Sequence, residues 1–314
     1  MKKKILGILL SIIMLFSIIS TNTYNSQAAN TSISHKKMLA EVGNTKVIKL
    51  NDNKKNVVWT TSNKKVVSIV SKSRTRVKLK ALKKGKATIT AKIGDKKYYC
   101  KITVVKNTKY SLAKKFKGEA TYYNYVSGGA CGLDDFSKKY LTCALNIKDY
   151  NNNLAGAYLE VTDKDGDKVK VLVIDILPSG KKGDIDLSKK AFKKIEPPAT
   201  GRMNISWKII PLPTDEPIYY KFKPSSGKYW ASLQVRNYRY PIKSLEYLDR
   251  NTNQYVALKR ESWNYFTAPN GMGDGPFTFR VTSIYGQTLI DDNISINCDG
   301  TDIKGKANFP YIFK

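Results

Sequence analysis

The sequence predicts an all-β protein of two or three domains. Short runs rich in β-branched residues recur along most of the chain, and Gly, Asn and Lys turns separate them at roughly ten-residue spacing. The chain has 314 residues, and a mature part of about 285 residues is long enough to form several cores. One short helix is expected from Ser188 to Ile195, with Ser188 as its N-cap.

Residues 1–29 have the organisation of a secretory signal peptide. Three lysines follow Met1, an apolar run extends from Ile5 to Ile19, and small residues lead up to Ala29. The apolar run is too short for a comfortable membrane span, and no later stretch is long and apolar enough to be one. A retained N-terminal anchor is the alternative. In either case we expect the remaining chain to be extracellular, secreted or associated with a cell wall.

The charge is strongly basic and unevenly placed. Lys and Arg number 55 against 25 Asp and Glu, which gives a net charge of +30. Residues 30–106 alone contain 21 basic and three acidic residues. For an exported protein this predicts anionic wall polymers as partners of that segment, with no role for nucleic acid. A merely solubilising surface is the alternative.

Histidine and cysteine limit the chemistry. The single histidine, His35, follows the signal peptide, which excludes Ser-His-Asp and Cys-His catalysis and most zinc sites. We therefore expect no metal and no cofactor. Four cysteines allow three pairings. Cys131 and Cys143 flank one loop and are the favoured disulfide, whereas Cys100 and Cys298 lie in different segments and are expected to be free.

Residues 30–106 predict a small β-sandwich with Trp59 in its core. The segment contains VVWTTSNKKVVSIV, followed by LKALKKGKATITAKIGDKKYYCKITV. This pattern resembles a bacterial Ig-like domain of group 2. The resemblance implies adhesion or display and no chemistry. Residues 107–117 are predicted to be a linker.

The central acidic residues are Asp175, Asp184 and Asp186. Asp175 ends the apolar run 171–174, where a buried strand meets solvent. Like charges crowded at such a place raise one another's pKa, which suits a proton donor. Asp175 could instead cap a turn, and Asp184 could be solvated. Glycoside hydrolysis usually needs two carboxylates, and Glu119 is the only carboxylate in the segment expected to form the opposite wall. This argues against an efficient hydrolase.

Ordered motifs over residues 116–314 resemble those of bacterial expansins. They are Gly118-x-Ala120-Thr121-Tyr122, Asp175-x-x-Pro178-x-Gly180, Asp186-Leu187-Ser188, Ile205-x-Trp207-Lys208, Trp230-Ala231, Gln234-Val235-Arg236-Asn237 and Tyr240-Pro241. The resemblance implies a six-stranded double-psi β-barrel over 118–213 and an Ig-like β-sandwich carbohydrate-binding module over 214–314. It also implies that Asp186 is required for wall loosening, with Asp175 and Thr121 as polar neighbours. Leu177 departs from the family, which often has a tyrosine there.

The same resemblance implies a platform of three aromatic residues, Tyr229, Trp230 and Trp263. Exposed rings stack on the apolar faces of pyranose units. Tyr229 and Trp230 are adjacent, so a bulge or a strand end must present both; otherwise one of them is core. Lys223 is expected to contact acidic glycan or to be plain surface.

Three functions remain open from the sequence. The first is a monomeric, non-enzymatic protein that binds cellulose and associated matrix polysaccharides and loosens their contacts. The second is a weak glycan-cleaving enzyme on the same barrel, either an endoglucanase or a peptidoglycan lytic transglycosylase, which can manage with one acid. The third is a wall adhesin.

Overall fold

The computed structural model describes residues 31–105, 110–111, 114–151 and 153–312. The predicted signal peptide lies outside the described residues, and the predicted linker lies only partly within them. Among the helices of the described part, none combines the length and apolarity needed to cross a membrane.

The first domain is a sandwich of two four-stranded sheets. The alternation of buried and exposed residues along its strands puts one face of each sheet in a shared core. Trp59 is only 3% exposed, as predicted, and its Nε1 donates to the Ser73 carbonyl at 2.9 Å. The sheet orders are β1-β3-β6-β5 and β2-β8-β7-β4, with β1 (Ser32–Ile33), β2 (Lys37–Glu41), β3 (Thr45–Asn51), β4 (Val58–Thr61), β5 (Val67–Lys72), β6 (Arg76–Ala81), β7 (Gly85–Ile93) and β8 (Lys96–Val105).

The second domain is a closed six-stranded barrel, which confirms the predicted fold. Its order is β10-β12-β11-β14-β9-β13, and the β10–β12 and β9–β13 pairs are parallel. The first strand begins two residues before the predicted boundary, because Phe116 stacks on Trp207 with ring centroids 4.0 Å apart. The strands are β9 (Phe116–Tyr123), β10 (Thr142–Asn146), β11 (Tyr158–Thr162), β12 (Lys168–Leu177), β13 (Ile185–Ser188) and β14 (Met203–Ile210).

The helices of the barrel are all short. They are α1 (Ile147–Tyr150), α2 (Lys189–Phe192) and two 3₁₀ turns, Asp134–Lys138 and Pro198–Thr200. The helix predicted to reach Ile195 is therefore too long. After α2 the Ile195 amide donates to the Phe192 carbonyl, a hydrogen bond between residues three apart that is typical of a 3₁₀ turn. The prolines that follow cannot extend the helix because they lack an amide hydrogen. Ser188 occupies the N-cap position without capping, since its hydroxyl accepts instead from the Thr142 amide at 3.5 Å.

The third domain is a second sandwich, with sheets of five and four strands. Tyr220 and Phe279 stack between the two sheets with centroids 5.3 Å apart, and Phe266 is buried. The sheet orders are β19-β20-β16-β15-β23 and β18-β17-β21-β22, with β15 (Tyr219–Phe222), β16 (Ala231–Arg236), β17 (Ile242–Asp249), β18 (Gln254–Ala257), β19 (Lys259–Arg260), β20 (Phe266–Ala268), β21 (Phe277–Ser283), β22 (Thr288–Ile294) and β23 (Ile303–Lys304).

The barrel and the C-terminal sandwich share one continuous hydrophobic core. Arg236 of β16, 2% exposed at its side chain, forms an ion pair with Asp135 of the barrel at 2.5 Å. The Tyr238 hydroxyl donates to the Ala155 carbonyl at 2.6 Å. A Cβ at Gly156 would lie 2.2 Å from that hydroxyl, so only glycine fits at this contact. These contacts fix the two domains relative to one another.

The predicted Cys131–Cys143 disulfide is not formed, because all four cysteines are free thiols. The Cys131 Sγ lies 3.4 Å from the Tyr150 hydroxyl, and Cys143 lies on β10 inside the barrel core. Burial raises the pKa of Cys131 to about 12 and also raises that of Cys143. Both side chains therefore act as small apolar core residues.

Candidate functional site

Four neighbouring barrel strands align Thr121, Asp186, Ala144 and Asp175 in one row. Asp186 of β13 pairs with Thr121 of β9 on one side and with Ala144 of β10 on the other. Ala144 also pairs with Asp175 of β12, because a bulge at residues 143–144 skips Ile174 in the register. Residues paired across strands share a face, so we name this set the acidic row.

Asp186 is the residue of the row best suited to exchange a proton or a hydrogen bond. It is half-buried, and burial raises its pKa, with the negative charge of Asp175 adding to that effect. The hydroxyl of Thr121 donates to Asp186 Oδ1 at 2.8 Å and opposes the shift. Asp175 is fixed more tightly, since its Oδ1 accepts from the amides of Ala130 and Ile176 at 2.9 and 2.8 Å.

Asp184 does not belong to the acidic row. It precedes β13, and its carboxylate accepts from the amides of Glu119 and Lys181, both at 2.9 Å. Its role is therefore to hold the turn before β13 against β9. Asp184 is thus neither part of the site nor merely solvated, because two backbone amides hold its carboxylate.

Two tyrosines beside the row were missed by the sequence reasoning. The hydroxyl of Tyr123 is buried and has no hydrogen-bond partner among the described residues. Burial raises the pKa of Tyr123, and the nearby Asp175 and Asp186 raise it further. The Tyr125 hydroxyl donates to Asp134, whose pKa is lowered because this and two amide hydrogen bonds outweigh the effect of its burial. Residues at alternating positions of a strand share a face, so the spacing 121, 123 and 125 was the sequence signal that could have identified both tyrosines.

A basic cavity of about 480 Å³ adjoins the acidic row. Ser188 and Thr142 line it, each two residues along its strand from a member of the row, Asp186 or Ala144. Two residues along a strand correspond to roughly 6.6 Å. The cations lining the cavity are Lys138, Lys189, Lys190 and Lys193.

The three predicted platform residues lie at turns of the C-terminal sandwich. The Tyr229 side chain is 77% exposed and that of Trp263 is 46% exposed, while Trp230 is partly exposed. The Gly227 amide donates to the Trp230 carbonyl at 2.7 Å, which closes a tight turn just before β16. This turn, rather than a regular strand, presents both adjacent rings. We name Tyr229, Trp230 and Trp263 the aromatic strip.

Lys223 and Tyr265 accompany the strip at its Trp263 end. The Lys223 Nζ lies 5.8 Å from the centroid of the Trp263 ring and 4.9 Å from that of Tyr265. Both distances are within the range of cation–π contacts. Tyr265 was not identified from the sequence, although Trp263-x-Tyr265 is an alternating aromatic pair. Lys223 thus has a defined place between two rings rather than on plain surface.

A single loop connects the acidic row to the aromatic strip. Ala130 of this loop holds Asp175, and the carbonyl of the next residue, Cys131, accepts from Gln234 at 2.9 Å and from Asn264 at 3.3 Å. Asn264 directly follows Trp263 in the chain. The fixed domain joint therefore links the loop that holds Asp175 to the residue next to Trp263 through a buried hydrogen bond.

Comparisons with known proteins identify the family. No family model matches the chain. It is 34% identical over 204 residues to Expansin-YoaJ of Bacillus subtilis, covering 62% of this chain and 86% of the relative. It is 26% identical over 181 residues to Expansin-like protein 3 of Dictyostelium discoideum, covering 54% of this chain and 53% of the relative.

Solved structures agree with the sequence relatives. The apo expansin of Clavibacter michiganensis matches with a TM-score of 0.58 and 26% identity, over 64% of this chain and all of that one. A point mutant of that expansin in complex with cellohexaose matches with a TM-score of 0.57 and 25% identity, over the same shares of the two chains. Ordered motifs, a closed barrel joined to a β-sandwich, and relatives of this similarity together lead to one conclusion: the chain belongs to the expansin family.

Proposed function

We propose that this protein binds cellulose and associated matrix polysaccharides and loosens their non-covalent contacts without hydrolysis. The observation that carries the proposal is the link across a fixed domain joint, where the loop that holds Asp175 also binds Asn264, the neighbour of Trp263. A related expansin, similar over its whole length, is known in complex with cellohexaose. A glucan chain is a ligand that fits both the acidic row and the aromatic strip.

In this proposal the aromatic strip supplies affinity. Tyr229 and Trp263 offer flat, exposed rings that lose few rotamers on binding and can stack on the apolar faces of glucose units. Lys223, held over Trp263, adds a cation at the edge of the strip for hydroxyl or carboxylate groups of the glycan.

The acidic row supplies the loosening step. Asp186 carries a half-buried carboxyl that can hydrogen-bond a glucan hydroxyl or glycosidic oxygen and so compete with chain–chain hydrogen bonds. Hydrolysis would also need a base or nucleophile. Glu119, the carboxylate expected on the opposite wall, is engaged by Arg202 at 2.6 Å, and Asp175 is held by two backbone amides. This arrangement favours a non-hydrolytic role.

One observation favours a second candidate, a peptidoglycan lytic transglycosylase. The raised pKa of Asp186 suits a general acid, and such an enzyme needs no second carboxylate because a hydroxyl of the sugar is the nucleophile. The two candidates differ in whether covalent bonds break.

A product assay on defined polysaccharides tests the proposal. The protein is incubated with cellulose and with peptidoglycan, and soluble fragments are quantified over time. We expect no steady release of fragments while the cellulosic material weakens mechanically. Steady release that is lost in Asp186→Asn would establish the enzyme instead, and binding without either effect would establish an adhesin.

We further propose that residues 1–29 direct export and that the first sandwich holds anionic wall polymers. Exposed cations alternate with buried residues on its β6, where Arg76, Lys78 and Lys80 face outward. Attraction between exposed charges is screened by salt. Binding to polygalacturonate should therefore weaken as NaCl is raised, while binding to cellulose should not.

A further inference from the structure

Three carboxylates form a cluster on the barrel that the proposed function does not use. Asp163 and Asp165 lie in the turn between β11 and β12, and Glu196 lies beyond α2. One carboxylate oxygen from each side chain lies within 4.8 Å of the others. Within the described part of the chain, no Lys or Arg forms an ion pair with any of the three. The cluster thus concentrates negative charge without a protein cation.

The two carboxylate oxygens of Asp163 differ, because hydrogen bonds from the described residues reach only one of them. The residue is only 8% exposed. Its Oδ1 accepts from the amides of Asp165, Gly166 and Asp167 at 2.9, 2.8 and 2.8 Å, which fixes the carboxylate in one orientation. Its Oδ2 is buried and has no hydrogen-bond partner among the described residues. Burying a carboxylate oxygen without a hydrogen-bond partner costs free energy. A bound cation at this oxygen would offset that cost.

We propose that Asp163, Asp165 and Glu196 bind a calcium ion. Ca²⁺ takes six to eight oxygen ligands at 2.3–2.6 Å, so two oxygens on one ion are separated by at most roughly 5 Å. The mutual distances in the cluster meet that limit without rearrangement. Water would complete the coordination. The single histidine of the chain argues against zinc, but it does not bear on a site made of oxygen ligands.

The proposed ion would join two parts of the barrel that are distant in sequence. The turn carrying Asp163 belongs to the β11–β12 hairpin, whereas Glu196 lies in the connection between α2 and β14. An ion that binds only the folded state stabilises it by RT ln(1 + [Ca²⁺]/Kd). Calcium is therefore expected to raise the thermal unfolding midpoint of the protein.

Isothermal titration calorimetry of the EDTA-treated full-length protein with CaCl₂ tests this inference. We expect one site with a dissociation constant on the order of 10⁻⁴–10⁻³ M, the range of extracellular calcium modules. Asp165→Asn and Glu196→Gln should each weaken binding roughly tenfold or more, since each removes a charged ligand. Asp167→Asn is the matched control, because it removes the same charge from the same turn outside the cluster.

Thermal midpoints with and without calcium check that the variants fold. A calcium-dependent rise in wild type and Asp167→Asn, absent in the other two variants, would support the site. The absence of a heat of binding when CaCl₂ is titrated into the wild type would overturn the inference. So would equal weakening in Asp167→Asn, or Mg²⁺ binding as tight as that of Ca²⁺.

Discussion

The acidic row and the aromatic strip are built in opposite ways. The row is half-buried, and strand pairing and hydrogen bonds fix each of its side chains. The strip consists of rings at turns, with Tyr229 77% and Trp263 46% exposed. Under the proposed function, this difference assigns affinity and loosening to separate structural regions. Changes to one region should therefore leave the function of the other measurable.

The largest effect is expected at the joint between the two regions. Gly156→Ala would put a Cβ 2.2 Å from the Tyr238 hydroxyl and would force a positive φ of 64° on alanine. We expect a loss of stability of roughly 3 kcal/mol or more, combining strain and overpacking. Denaturant unfolding measures this.

Gly201→Ala is the matched control for the joint. It has nearly the same φ, 66°, but open space where the Cβ would lie. It should show only the cost of the backbone conformation, roughly 1 kcal/mol. Equal destabilisation by the two variants would mean that the Tyr238 contact does not hold the domains together.

The next effect is expected in the strip. Tyr229→Ala, Trp230→Ala and Trp263→Ala should each weaken cellulose binding by roughly tenfold, which corresponds to about 1.4 kcal/mol of lost stacking. Pull-down isotherms on crystalline cellulose measure it. Tyr99→Ala removes an equally exposed ring from the first sandwich and should leave binding unchanged. Three unaffected isotherms would remove the strip from the binding surface.

A smaller effect is expected from Tyr123→Phe in the groove. The Tyr123 hydroxyl lies near Asp175 and Asp186. Position 177, where the family often has a tyrosine, is a leucine in this chain and offers no hydroxyl. Its loss should lower loosening activity several-fold while cellulose binding stays constant. Tyr122→Phe, on the same strand, is the control. An identical loss in both variants would show a general effect on β9 rather than a groove contact.

The smallest effect is expected on stability at neutral pH. Because the pKa of Asp186 is raised in the folded state, the protonated form is favoured there, and stability falls as pH rises from the unfolded pKa through the folded one. Asp186→Asn cannot ionise, so its melting midpoint should exceed that of wild type at pH 7, and the difference should vanish near pH 3. A variant less stable than wild type at both pH values would contradict the raised pKa.

Residues that lie within short sequence motifs could be identified from the sequence alone. Thr121, Asp175 and Asp186 were identified through family motifs, and Trp59 was correctly expected in the core. The alternation of the strands could not reveal that Ala144 lies between Asp175 and Asp186, because that register depends on a bulge. Tyr123 and Tyr265 were missed because their importance comes from neighbours distant in sequence.

Tertiary contacts changed the role of residues whose neighbours in sequence suggested another one. Cys131 and Cys143 are close in the chain, yet the Cys131 thiol faces Tyr150 instead of a second sulfur. Ser188 does occupy the N-cap position of α2 as predicted, but its hydroxyl accepts from the Thr142 amide on a neighbouring strand instead of capping the helix. In both cases a tertiary contact overrode the local preference.

The most direct test of the account is the effect of Asp186→Asn on cellulosic material at matched bound protein. Creep or breaking force is measured for wild type and variant, together with the bound fraction. We expect wild type to weaken the material, the variant to lose nearly all of this activity, and cellulose binding to stay within about twofold, because stacking resides in the strip. A variant that weakens the material as wild type does, or that loses binding and loosening together, would contradict the separation of the two regions.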